Sequence, residues 1–141
     1  MQSMKSKITI EKLNQDHNKH MTKHLGIEYT EIGDDYLCGK MPVDTRTFQP
    51  MGILHGGASV VLAESLGSLA ANLYLGETNY YAVGLDVNAN HVKSARSGYV
   101  YGKASLQHAG RATQVWTIEI HNDAQELVCL SRLTMAVLEK R

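Results

Sequence analysis

Residues 48–71, FQPMGILHGGASVVLAESLGSLAA, decide the fold of this chain. Pro50 and Gly52 mark a loop, Leu54-His55-Gly56-Gly57 leads out of it, and no helix breaker follows for several turns. The pattern therefore predicts a loop feeding the N-terminus of a long buried helix. Leu62, Leu66, Leu69 and Leu73 recur at i, i+4, i+7 and i+11, which sets four leucines on one stripe that a sheet or a second helix must cover. At about 100° per residue Glu64 points away from them and shares its face with Val60, Val61, Gly67, Ser68 and Ala71. Small and apolar neighbours are not those of a solvated face, so the helix is expected to be covered on both sides, with Glu64 poorly hydrated. Alone, Glu64 would read as an ordinary surface carboxylate. Two neighbours argue otherwise: His55-Gly56-Gly57 offers unhindered backbone N–H groups where the helix dipole favours a developing oxyanion, and Gln49 adds an amide close by.

A chain of 141 residues is long enough for one domain with a real core and short for two, so residues 1–141 are read as a single domain with an N-terminal helical segment over 1–25. Fourteen basic residues balance fourteen acidic ones, which removes any general field for nucleic acid or an anionic membrane. An anionic ligand must then be caught by local cations. The N-terminus lacks an apolar core of signal-peptide length and no later run suggests a membrane span, so a cytosolic protein is expected. Cys38 and Cys129 lack a partner motif and read as reduced thiols within strands.

From Thr9 to about His24 the pattern suggests one or two short helices. His17, His20 and His24 would align on a continuous helix, but no acid or thiol stands beside them, and Asn18 and Lys19 make the face solvated, so no metal site is expected. Ile27 to Ile32 and Tyr36 to Met41 flank the turn Gly33-Asp34-Asp35 and read as a hairpin. After the helix, strands are expected at Tyr80–Val92, Gly98–Gln107, Thr113–Ile120 and Leu127–Leu138, with turns at 94–98, 108–110 and 121–123. One long helix and about six mostly hairpin-connected strands make an α+β fold in which an antiparallel sheet wraps a central helix. A sheet covers one side only. The other side calls for a second copy of the chain, and with it a site shared between subunits.

The runs QPMGILHGGASVVLAESLGSLA, VGLDVNANHVKSAR and HAGRATQVWTIEI resemble the hotdog-fold acyl-CoA thioesterases. They are most similar to the Glu-dependent branch that includes the 4-hydroxybenzoyl-CoA and the 1,4-dihydroxy-2-naphthoyl-CoA thioesterases, the latter of menaquinone biosynthesis. The resemblance spans about residues 27–138. It implies Glu64 as nucleophile or general base, the Gly56 N–H as the group polarising the thioester carbonyl, His55 and Gln49 as flanking polar groups, and Ser68 as a hydroxyl orienting the carboxylate or a water. It also implies that coenzyme A is held by Gly84, by His91, Val92, Lys93, Ser94 and Arg96, and by His108, Ala109, Gly110, Arg111, Ala112 and Thr113. Lys93, Arg96 and Arg111 suit its phosphates. No cofactor or metal is implied, since coenzyme A is part of the substrate. A homodimer with shared sites is implied, in a dimer of dimers.

A thioester is electrophilic enough for a carboxylate and an oxyanion donor to suffice, and no Gly-x-Ser-x-Gly elbow points to an α/β-hydrolase. Three readings stay open: hydrolysis of an aromatic acyl-CoA, a broad-range acyl-CoA or acyl-carrier-protein thioesterase, and a non-catalytic acyl-CoA binding module. Val60, Val61, Tyr74, Leu75 and Tyr81 are the candidates for lining the acyl pocket.

Overall fold

In the computed structural model, which describes residues 3–6 and 8–141, strand β2 (Tyr36–Pro42) places Gly39 directly opposite Gly102 of strand β4 (Tyr99–Ala109). Two missing side chains side by side leave a hole in the sheet. Leu66 of helix α3 (Gly56–Leu75) fills it, so closely that a Cβ on Gly39 or Gly102 would lie 2.9 or 2.7 Å from a Leu66 methyl. The converse contact locks the other side: Leu133 of β6 (Leu127–Glu139) presses on Gly67, where a Cβ would stand 2.5 Å from its Cδ2. One knob in each direction fixes how far α3 is rotated about its axis.

The remaining elements are α1 (Ile10–His17), α2 (Met21–His24), β1 (Glu28–Ile32), β3 (Tyr80–His91) and β5 (Thr113–His121), with a short 3₁₀ turn at Met4–Ser6. The six strands form one antiparallel sheet in the order β1-β2-β4-β5-β6-β3, curled around α3. Alternation along β5 sends Gln114, Trp116, Ile118 and Ile120 to the helix side, all buried, and the Trp116 N–H donates to Gln114 Oε1 at 2.9 Å, so the largest core side chain buries no unpaired donor. The expected α+β wrap is therefore observed, and the strand limits agree with the sequence to within two residues.

The buried stripe of α3 is not the leucine stripe alone. The sheet covers Ala58, Ser59, Leu62, Ala63, Leu66, Gly67, Ala70 and Ala71, while Leu69 and Leu73 are only half-buried. Gly67 and Ala71, expected beside Glu64, are buried instead, and at Gly67 the missing side chain makes room for Leu133 and Ile118 of the sheet. The half-buried Ser65, Ser68, Leu69 and Asn72 face His17 and Thr22 of the N-terminal segment. By length and composition α3 is also apolar enough to cross a bilayer, which the sequence reading overlooked; here it is the core helix of the fold.

Each outer strand is held by one asparagine. Asn14 of α1 donates through Nδ2 to the Tyr29 carbonyl (2.9 Å) and accepts from the Tyr29 N–H (3.0 Å), and Asn72 of α3 does the same at Ala82 of β3 (2.9 Å each). A primary amide offers the donor and acceptor a neighbouring strand would have offered. The N-terminal segment forms two short helices, within the expectation of one or two; His20 has φ 56° and separates them, so His17, His20 and His24 do not share a continuous face.

Replacing Gly67 with alanine tests the lock, because helix propensity alone favours alanine by about 0.8–1.0 kcal/mol. The collision with Leu133 costs about 1–3 kcal/mol. Gly67→Ala is therefore expected to lower stability in urea titration, and a gain in stability would show that the Gly67–Leu133 contact is loose.

Candidate active site

Helix α3 begins at His55, whose Nδ1 accepts the Gly57 N–H at 2.8 Å while its carbonyl accepts the N–H groups of Ala58 (3.0 Å) and Ser59 (3.3 Å). Three of the four first-turn donors are thus satisfied. Among the described residues the fourth, the Gly56 N–H, has no acceptor. It opens into a cavity of about 330 Å³ lined by Ile53, Leu54, Gly56, Ser59, His91, Val92, Lys93, Ser94 and Val128. The His91 ring packs onto Gly56, where a Cβ would meet Nε2 at 2.9 Å. A free donor at a helix N-terminus, in a slot lined by both apolar and polar side chains, is suited to an oxygen that gains negative charge.

Glu64 lies two turns further along and lines a different surface. It is half-buried, with its carboxylate over Gly84 of β3, so close that any side chain at position 84 would collide with Oε2. Leu85 is an unpaired bulge residue between Gly84 and Asp86, which bends the edge strand at this point. Gly84 is therefore the floor beneath the acid; the resemblance had assigned it to coenzyme A. Ser68, one turn beyond Glu64, lines a second cavity of about 390 Å³ with His17, Thr22, Tyr29, Ser65, Leu69 and Asn72. The expected acyl-pocket residues Val60, Val61, Tyr74, Leu75 and Tyr81 do not line this cavity.

The residues expected to hold coenzyme A fall into two groups. His91, Val92, Lys93 and Ser94 adjoin Gly56. His108 to Thr113 lie at the opposite end of the sheet, where Thr113 pairs with Ala136 of β6, itself the partner of Val83. His108 and Ala109 belong to β4 rather than to the turn, and only residues 110–112 connect the strands. Lys93 is not a free cation, since its Nζ reaches Glu126 Oε2 at 2.5 Å and holds that carboxyl below its usual range, with Asn122 assisting. Arg96 and Arg111 are exposed and make no ion pair among the described residues. Gln49 stands apart from the Gly56 cavity, and its side-chain oxygen accepts the Met51 N–H in a local turn. Sequence reading missed two features: Ser59 in the Gly56 cavity, signalled only by a lone polar residue on a buried face, and the cavity at Ser68, which needs the N-terminal segment folded back. Among the described residues no group of three or more His, Cys, Asp or Glu is placed to hold a metal.

A sequence profile of the thioesterase superfamily matches residues 51–129. Over 134 residues the chain is 53% identical to the 1,4-dihydroxy-2-naphthoyl-CoA hydrolase of Escherichia coli K12, covering 95% of this chain and 98% of that protein. It is 45% identical over 134 residues to the proofreading thioesterase EntH of Cronobacter turicensis, covering 95% and 97%. The crystal structure of a thioesterase from Haemophilus influenzae matches with a TM-score of 0.92 at 47% identity, over 99% of this chain and 96% of that one.

Neither thiol is suited to act as a nucleophile. Burial, with Glu31 adding and Lys103 opposing, pushes Cys38 up to about 11, and burial raises Cys129 as well. At pH 8 a thiol near that value is roughly a thousandth ionised. Iodoacetamide is expected to label Cys38 in the folded protein about a hundredfold more slowly than free cysteine, read by mass spectrometry. Labelling at the free-thiol rate would contradict the burial argument.

Proposed function

Starting from a chain that belongs to the thioesterase superfamily and hydrolyses thioesters, we propose that its substrates are aromatic acyl-CoA thioesters, of which 1,4-dihydroxy-2-naphthoyl-CoA is the type. The Gly56 N–H polarises the thioester carbonyl. Glu64 either attacks the carbonyl carbon, giving an anhydride that water opens, or takes a proton from the attacking water. Either route releases the carboxylic acid and the free thiol of coenzyme A. The cavity at Ser68 supports the aromatic reading, because Ser65, Ser68, Thr22, Tyr29 and His17 offer hydroxyls and an imidazole to a hydroxylated ring while Leu69 offers an apolar contact.

The spacing of Gly56 and Glu64 supports a site shared between two copies of the chain. Gly56 and Glu64 are eight residues apart on one helix, about 12 Å along its axis, too far for one thioester to meet both in one chain. Likewise Gly84 and His91 are about 23 Å apart along β3. β3 is an edge strand, pairs only with β6, and exposes Tyr81, Val83 and Leu85, the last at 64%. Such an edge is a template for another strand. A second copy laid antiparallel along it brings the His91 end of one chain beside the Gly84 end of the other, so each complete site takes its amide from one subunit and its acid from the partner. Pairing of two such dimers gives the tetramer that the resemblance implies.

Two experiments test this. In a rate survey of aryl- and alkyl-CoA thioesters, aryl substrates are expected to be preferred, and Glu64→Gln is expected to lower kcat by about 10²–10⁴-fold. A preference for long alkyl chains would move the protein to the broad-range reading, and full activity of Glu64→Gln would remove the acid from the mechanism. Unfolding and refolding together two inactive variants, Glu64→Ala and Gly56→Pro, which removes the amide hydrogen, is expected to restore about a quarter of the wild-type activity, because half of the random dimers then carry one intact site. No recovery would mean that each chain holds its own complete site.

A further inference from the structure

Ser59 is 1% exposed, lines the cavity at the helix N-terminus with Gly56, and makes no side-chain hydrogen bond among the described residues. The hydroxyl borders the cavity and has no protein partner, so in the free protein only solvent within that cavity can satisfy it. A helical serine ordinarily returns its proton to the carbonyl one turn back. Here that carbonyl is His55 O, which already accepts the N–H groups of Ala58 and Ser59 itself. The hydroxyl is left free.

Its direction is set by the helix. Side chains in an α-helix lean toward the N-terminus and cover the turn that precedes them, so Ser59 reaches back over Gly56, three residues earlier. Ile53, Leu54 and Val128 form the apolar part of the lining there, and His91, Lys93 and Ser94 the polar part. His91 shares the cavity, yet no hydrogen bond joins it to Ser59, so the serine has no base to make it a nucleophile.

We propose that the Ser59 hydroxyl is the second donor of the oxyanion site: with the Gly56 N–H it donates to the thioester carbonyl oxygen, and both bonds strengthen as that oxygen becomes negative during attack. No bond to Ser59 is made or broken. The assignment rests on the roles of Gly56 and Glu64 given above. It explains why a core position carries a hydroxyl with no partner in the free protein, since the partner arrives with the substrate.

The test is Ser59→Ala in the assembled protein, assayed on an aryl-CoA thioester beside wild type, Ser59→Thr and Glu64→Gln. Removing one oxyanion donor is expected to lower kcat by about 10²-fold. KM should stay within about twofold, because the lost bond matters chiefly in the transition state. Thermal stability should be unchanged or higher, because a methyl group suits the buried site better than an unpaired hydroxyl. Ser59→Thr keeps the donor and should recover most of the loss. A second readout needs no turnover: the carbonyl stretch of a ¹³C-labelled aryl thioester bound to Glu64→Gln should shift to lower frequency, and adding Ser59→Ala should reverse part of that shift. Wild-type kcat in Ser59→Ala, a loss confined to KM, a fall in melting temperature large enough to account for the lost activity, or an acyl group trapped on Ser59 would each overturn the assignment. Full activity in Glu64→Gln would instead overturn the reading on which it rests.

Discussion

The rotation of α3 within its sheet is the constraint on which the rest of the structure depends. Leu66 enters the hole left by the facing glycines of β2 and β4, and Gly67 receives Leu133 from the other side. With both contacts made, the helix cannot turn by even one residue without driving a leucine into backbone. That rotation puts Glu64 over Gly84, Ser59 and Gly56 into one slot, and Ser65, Ser68 and Leu69 toward the N-terminal helices. A single helix thus presents three surfaces with different chemistry, and close packing keeps them in phase.

Position along the helix axis is set separately. Asn72 ties α3 to Ala82, two residues before the strand reaches Gly84, so the seam between helix and edge strand is fastened next to the acid. Asn14 fastens the opposite edge of the sheet at Tyr29, a residue that lines the cavity at Ser68. Both clamps use the same physics, a planar amide in the place of a missing strand. Each holds an edge strand against the helical layer, and beyond Ala82 the outer side of β3 stays open, away from β6. The fold is closed where it packs its core and open along the outer side of β3.

Much of this was legible in the sequence. The strands read correctly because period-two alternation and Gly/Asp/Asn turns are local signals, and the helix because nothing between Gly57 and Leu75 interrupts it. The buried face of that helix was misjudged for a physical reason: four leucines suggest a stripe, but the buried face also includes Ala63, Gly67, Ala70 and Ala71, with Leu133 of the sheet filling the space at Gly67, and small residues carry little periodic signal. Lys93 looked free because Glu126, its partner, lies 33 residues away in sequence. His55, Gly56 and Glu64 looked like one site because they are neighbours in sequence, whereas the rise of a helix parts them by two turns. The separation of 91–94 from 108–113 was hidden likewise, since it depends on strand order and not on spacing. Ser59 gave no signal beyond being a small polar residue in an apolar run.

The order of elements bears on how the chain comes into being. Of the six strands that enclose α3, four are encoded after it, so during synthesis the helix leaves the ribosome with β1 and β2 but without β3 to β6. Until those strands emerge, a segment apolar enough for a bilayer lacks most of its cover, and the contacts that shelter it join residues tens of positions apart. The nascent protein therefore passes through a stage at which membranes and chaperones compete for its most hydrophobic element. Translation of its last sixty residues ends that competition by closing the wrap.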